Sequence, residues 1–272
     1  MSEMAVDLTF ANSSLAKTYV EFRPLPPETL IQHVLEFTKE KRPLPLEICV
    51  DVGCGSGQTT MQYSQHFQHV LGIDVSSEQL ELARNRNSHC NVSFKKGTAE
   101  SIPVHDASVD LVTCCASVHW FDLKKFYAEV NRVLKPGGVL ACYSYFGCSP
   151  LFKGKSLRSE FLEIWDSLDK YWTEGHEYLR TEYATLPVCY PENLYLKGLS
   201  VEHDATLDTF LGYICSFSAF SKMKAAEGED VANIFLEKSR KKLVSAVGHT
   251  DDDPPMRRRY DYFLRVFRKP LQ

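Results

Sequence analysis

The chain has 272 residues, 44% of them apolar and 24% charged, enough for one large α/β domain or two small ones with a sizeable buried core. A net charge of −4 supplies no attraction to phosphate backbones and excludes nucleic acid as an expected partner; the one basic run, Arg257-Arg258-Arg259, follows Asp251-Asp252-Asp253 and reads as a solvated turn in which the two offset each other. No run is apolar enough to span a bilayer, Met1 to Phe10 carries Glu3 and Asp7 where a leader would be basic, and the nine cysteines form no C-x-x-C pair, so the expectation is a cytoplasmic protein with buried free thiols, no membrane partner and no metal site.

Residues 1–46 read as N-terminal lid helices on the edge of the domain, with Tyr19 and Arg23 placed to close over a site ahead of Pro24, Pro26 and Pro27. From 47 to 147, short β-branched or apolar runs alternate with helical stretches, the signature of repeated βαβ units and a parallel sheet. Strands are expected at Ile48–Val52, Val70–Ile73, Val92–Lys95, Leu111–Cys115 and Val139–Tyr145. Helices are expected from Gly57 to about Phe67, after Ser76 with Gln79 in capping-box register, and from about Leu123 to Leu134, where Lys135-Pro136-Gly137-Gly138 ends the helix.

Residues 148–258 change texture to long helical patterns rich in aromatics and read as a helical cap or insertion with returning elements. Within it Trp165, Tyr171 and Trp172 form first a helix core stripe and second a pocket lining. Residues 259–272 have strand character, with Tyr262, Leu264 and Val266 on one face, and should return to the sheet as its last strand. The fold class is therefore a single-domain α/β protein: a Rossmann-like, doubly wound sheet, mostly parallel with an antiparallel C-terminal strand, plus a helical cap.

The chemistry concentrates in Ile48-Cys49-Val50-Asp51-Val52-Gly53-Cys54-Gly55-Ser56-Gly57, a buried strand running into a glycine-rich turn that opens a helix. Only glycines let a backbone turn this sharply and let a ligand approach the main chain closely. Asp74 ends the next strand, where a carboxylate can accept both hydroxyls of a ribose. The ligand therefore contains a nucleoside. A dinucleotide would place its pyrophosphate at the helix N-terminus, near Asp51, and be repelled by it; the α-ammonium group of S-adenosyl-methionine would be attracted.

These residues resemble the class I S-adenosyl-methionine-dependent methyltransferases of the methyltransferase type 11 group. The D-x-G-x-G-x-G motif is matched by Asp51 through Gly57, the acidic residue after the second strand by Asp74, and L-K-P-G-G by Leu134 through Gly138. Relatives often place G-D-A-E after the third strand to hold adenine. This chain has Gly97-Thr98-Ala99-Glu100, so the resemblance implies a contribution from Thr98, Ala99 or Glu100. A narrower resemblance, to trans-aconitate methyltransferase-like proteins, rests on Tyr19-Val20-Glu21-Phe22-Arg23-Pro24, Ser117-Val118-His119-Trp120-Phe121-Asp122 and Gly212-Tyr213-Ile214-Cys215-Ser216-Phe217-Ser218-Ala219. It implies cofactor contacts from Tyr19 and Ser117, and methylation of a carboxylate oxygen on a small acid.

An acidic oxygen acceptor needs no general base, but it needs a cationic or hydrogen-bonding clamp, for which Arg23, His119 and Arg158 are the candidates. His119 and Trp120 follow the fourth strand at the carboxyl edge of the sheet, where open α/β folds place ligands. The expected catalytic set is therefore His119, Trp120 and Arg23, acting on a small-molecule acceptor. Two other readings stay open at this point: a non-catalytic relative that holds cofactor to act through a protein partner, and an NAD-dependent oxidoreductase with an atypical glycine loop.

Overall fold

In the computed structural model, which describes residues 22–248 and 255–272, strand β1 (Ile48–Val52) lies at the centre of a nine-stranded sheet. Four of its five residues are buried, as expected of a strand covered on both faces. Parallel pairing adds β2 (His69–Asp74) and β3 (Val92–Lys96) on one side, β4 (Val109–Cys115) and β5 (Leu134–Tyr145) on the other. The crossover helices are α2 (Gln58–Gln62), α3 (Ser77–Arg86) and α4 (Leu123–Val133), while α1 (Glu28–Lys39) buries Leu30, Ile31, Val34 and Leu35 at the domain edge. Ser76 caps α3 by accepting from the Gln79 amide, but the Gln79 side chain does not complete a capping box. Helix α2 is shorter than the expected Gly57 to Phe67, because turns replace it from Tyr63.

The last strand is antiparallel, as expected. Strand β9 (Pro255–Arg268) pairs with β5, Tyr262 opposite Tyr145 and Val266 opposite Ala141. Tyr262, Leu264 and Val266 join the apolar cluster on one face of the sheet, Phe263 and Phe267 the cluster on the other. The strand thus alternates between two cores.

Between β5 and β9 the architecture is less helical than its aromatic patterning implies. Short strands β6 (Ser149–Phe152) and β7 (Lys155–Ser156) precede α5 (Arg158–Asp166) and α6 (Glu177–Arg180). A fifteen-residue strand, β8 (Glu192–Thr206), then runs the length of β9 before α7 (Leu207–Cys215), α8 (Ser218–Glu227) and α9 (Glu229–Val247). Leu194 and Leu196 alternate in strand register, but Gly198 at φ +76° shifts the register so that Leu199 and Val201 continue the apolar face. That bulge hides the period from a sequence reading.

The basic run is also placed differently from the solvated turn. Arg257 pairs with Glu202 and Asp204 across β8, Arg259 pairs with Asp261, and Arg258 is buried; Asp251, Asp252 and Asp253 lie outside the described residues. Among the described residues no helix is long and apolar enough to cross a membrane.

Candidate active site

The carboxyl ends of β1, β2 and β4 open on a cavity of about 210 Å³. Its floor is the loop after β1, in which Gly53, Gly55 and Gly57 all adopt left-handed backbone, at φ +70°, +53° and +76°. Their roles differ. A Cβ on Gly53 would strike Ser117 Cβ at 2.6 Å, and one on Gly57 would strike the Phe94 ring at 2.6 Å, so these two glycines permit internal packing. At Gly55 a Cβ would meet nothing closer than Gln79 Oε1 at 3.8 Å, leaving the loop backbone open to a ligand.

Asp74 stands at the cavity wall. Its Oδ2 accepts the Gly55 amide at 2.8 Å and its Oδ1 the Ser76 amide at 2.9 Å, which fixes the carboxylate while leaving each oxygen a lone pair for a ribose hydroxyl. Burial raises its pKa, against the lowering effect of these amides. Asp51 lies deeper and accepts from Thr60 Oγ1 at 2.6 Å and Thr113 Oγ1 at 3.0 Å. Desolvation outweighs both bonds and pushes its pKa up to about 6. Beside them Gln79 Oε1 is buried with no hydrogen-bond partner among the described residues, an acceptor left for a bound group. An exposed loop backbone, two fixed carboxylates and an orphan amide oxygen fit the ribose and ammonium groups of S-adenosyl-methionine.

After β4 the chain turns sharply at Ala116, a non-glycine residue held at φ +51° with its amide on Tyr143 O. The turn sends Ser117 back under the loop, where its hydroxyl donates to Val52 O at 2.8 Å, and starts a 3₁₀ turn over Val118–Trp120. Trp120 faces the cofactor cavity and also a second, smaller one of about 50 Å³ beneath the cap. The two share Arg23, Ala116, Trp120 and Tyr145.

Arg23 sits at this junction. Its Nε donates to Ser216 Oγ at 3.0 Å, NH2 to Ser216 O at 3.1 Å and NH1 to Tyr145 OH at 3.2 Å, with the guanidinium over the Tyr213 and Phe217 rings. His119 is buried on the cap side and shares a hydrogen bond between Nδ1 and Tyr183 OH at 3.2 Å. Burial, then His176, then Arg23 hold its pKa well below the usual histidine value, so the imidazole is neutral at physiological pH. His176 lies against it with ring centroids 5.3 Å apart.

The expected site residues divide accordingly. Arg23, Asp51, Gly53, Gly55, Asp74, Ser117 and Trp120 line the cofactor cavity, and Gly57 lies behind it. His119 lines the second cavity only. Thr98, Ala99 and Glu100 are outside both linings: Ala99 is buried in the core, and Glu100 Oε1 accepts the Asp122 amide at 3.1 Å. Arg158 is not part of the junction either, since it bonds Cys148 O and packs over Phe146 and Phe161. Tyr19 lies outside the described residues. Sequence reasoning missed Gln79, Ala116, Tyr145, His176 and Ser218, for which the only local signal was the Gly212–Ala219 segment ending at the cap.

Residues 50–142 match the family model described as a methyltransferase domain, a span that includes the glycine loop, Asp74 and the turn after β4. The chain is a class I S-adenosyl-methionine-dependent methyltransferase. This methyltransferase is 29% identical to a Dictyostelium discoideum methyltransferase over 88% of its own length and 87% of the relative's. It is 28% identical, with a TM-score of 0.70, to the structure of a type II methyltransferase from Anaeromyxobacter dehalogenans, over 92% of this chain and 99% of that one. It is 31% identical to a malonyl-[acyl-carrier protein] O-methyltransferase from Pectobacterium atrosepticum over 44% of each chain. The chain spans half or less of several other curated relatives that it matches. S-adenosyl-methionine is its cofactor, which sets aside the nicotinamide alternative, and as an enzyme the methyltransferase is not the purely scaffolding relative that the sequence left open.

Proposed function

We propose that this methyltransferase esterifies a carboxylate oxygen of a small-molecule acid held beneath the cap. The observation that carries the reading is the second cavity, which adjoins the cofactor cavity through Arg23, Trp120 and Tyr145 and contains no aspartate or glutamate in its lining. Its charged or titratable members are Arg23, His119 and His176. Such a lining suits an anion.

S-adenosyl-methionine supplies an electrophilic methyl group on a sulfonium centre. A carboxylate is already the nucleophile at neutral pH: an oxygen lone pair forms the new bond to carbon, the carbon–sulfur bonding pair stays on sulfur, and no proton has to move. The residues then have three tasks. Arg23, fixed by Ser216 and Tyr145, orients the acid; Trp120 walls the junction; His119, neutral and bonded to Tyr183, is a hydrogen-bonding and packing group, not a base. The O-methyltransferase relative, which acts on malonyl-[acyl-carrier protein], supports an oxygen acceptor.

The test is methyl transfer from labelled S-adenosyl-methionine to a panel of small carboxylic acids, each paired with its amide and its amine analogue. Label in a product that alkali converts to volatile methanol is expected for the acids alone. Transfer confined to amines or alcohols would overturn the proposal.

A further inference from the structure

The cavity beneath the cap, at about 50 Å³, has room for a compact group of about three to five water-sized centres. All three tryptophans of the chain line it. Trp165 is 4% exposed, stacks on Trp172 with centroids 4.0 Å apart, and meets Phe146 and Phe217 edge-on. Its Nε1–H, a group that can only donate, has no acceptor among the described residues, whereas the Trp172 Nε1–H donates to Trp165 O. A buried donor of this kind is satisfied when a ligand brings an oxygen.

A second feature converges on the same space. Ser218, buried and lining the cavity, is the first residue of α8, a helix of ten residues. Phe217 at its N-cap provides no side-chain cap, and its first turn contains no acidic residue. The first-turn amides of a helix have no intrahelical acceptors and carry the positive end of its dipole. Arg23 adds its charge at the cavity mouth.

We infer that this cavity seats a second, non-reacting oxyanionic head of the acceptor, such as a carboxylate, sulfonate or phosphate, gripped by the Trp165 indole N–H and the N-terminus of α8. The inference rests on the proposed acid-directed reading: Arg23 and Tyr145 hold the carboxylate that receives the methyl group, and the head group deeper in the cap fixes its distance and direction. Trp165 and Ser218 are then positioning residues that select acids with two anionic ends over acids with one.

The three tryptophans give a native fluorescence signal for occupancy. The full chain, saturated with S-adenosyl-homocysteine, is titrated with glutarate and with butyrate, which share an apolar spacer but differ in the second carboxylate, and with sulfate as a head group alone. Glutarate is expected to bind at least tenfold more tightly than butyrate. Trp165→Phe, which keeps the ring and removes the donor, and Ser218→Asp, which places a carboxylate at the helix N-terminus, should each reduce that preference to within about twofold of one. Affinity for S-adenosyl-homocysteine should stay within twofold in both variants, and with any acid that is methylated, Trp165→Phe should raise KM more than it lowers kcat.

Equal binding of glutarate and butyrate, no saturable response to glutarate, or a preference that survives both substitutions overturns the head-group seat. If acids are methylated but the preference is absent, the esterification reading stands and this inference falls. A preference that depends on Trp165 with no acid methylated gives the reverse result.

Discussion

The two cavities sit side by side on one sheet edge, yet they are assembled in opposite ways. The cofactor cavity draws on contiguous stretches, Asp51 to Thr59, Asp74 to Gln79 and Cys115 to Phe121, and presents loop backbone and carboxylates fixed by backbone amides. The cap cavity gathers isolated side chains from Arg23, His119, Tyr145, Trp165, His176 and Ser218, and its walls are rings. A nucleoside met by backbone can be held by almost any sequence that folds into that strand, turn and helix. An acceptor met by scattered side chains can change with a few substitutions. The difference teaches that the cofactor is a property of this fold and the acceptor a property of this chain.

Substitutions within the glycine loop test the contrast first, with the largest effect. Gly57→Ala would force a Cβ into the Phe94 ring and keep a side chain at φ +76°, so it should destabilise the fold by about 3 kcal/mol, read as a lower urea midpoint at unchanged slope. Gly55→Ala meets no such obstacle and should cost about 1 kcal/mol of stability while impairing cofactor binding. Equal stabilities for the two variants would show that the loop is not divided between packing and ligand.

Next comes Asp74→Ala, expected to weaken S-adenosyl-methionine binding by about 100-fold in calorimetry, because it removes the acceptor for a ribose and also frees the Gly55 and Ser76 amides from their anchor. On the other cavity, Arg23→Lys replaces a planar fork, held by Ser216 and Tyr145, with a point charge. It should lower kcat/KM for a methylated acid by about 20-fold, mainly through KM, and leave cofactor affinity within threefold. A loss of cofactor affinity as large as that of Asp74→Ala would mean that the two cavities are one site.

The same contrast explains what the sequence disclosed. Strands β1 to β5, the Ser76 cap and the return of β9 were readable because period and punctuation are local: alternating burial at Tyr262, Leu264 and Val266, a proline and two glycines after α4. The nucleoside site was readable because glycines at required φ values occur consecutively. Strand β8 was not, since Gly198 breaks its period, and the fate of Arg258 depended on a partner strand distant in sequence. Arg23 and His119 were nameable only through their short motifs, and Arg158 was drawn in on charge alone. Nothing local distinguishes an arginine whose guanidinium meets Tyr145 at a cavity mouth from one that packs on Phe161. Likewise the orphan Nε1–H of Trp165 exists only once Trp172 has stacked upon it.

The smallest effect is a pH dependence that should belong to the cofactor cavity alone. Desolvation raises the pKa of Asp51 to about 6, so in the ligand-free protein this carboxyl contributes stability fully below its ordinary value of 3.8 and loses that contribution as pH rises through about 6. A bound cation reverses the preference by favouring the ionised form. Cofactor held through its α-ammonium group should therefore bind about tenfold more weakly at pH 5 than at pH 7.5, because roughly a tenth of Asp51 is ionised at the lower pH. Methylthioadenosine, which keeps the ribose and lacks the ammonium group, is the control: it retains any contribution from Asp74, whose pKa burial also raises, and should lose the dependence that comes from Asp51. Calorimetry of both ligands at the two pH values, repeated on Asp51→Asn, decides the matter. A tenfold drop for S-adenosyl-methionine that is absent for methylthioadenosine and flattened in the variant assigns the ammonium to Asp51. The same drop for both ligands would move the titration to Asp74 and leave Asp51 as a brace between Thr60 and Thr113.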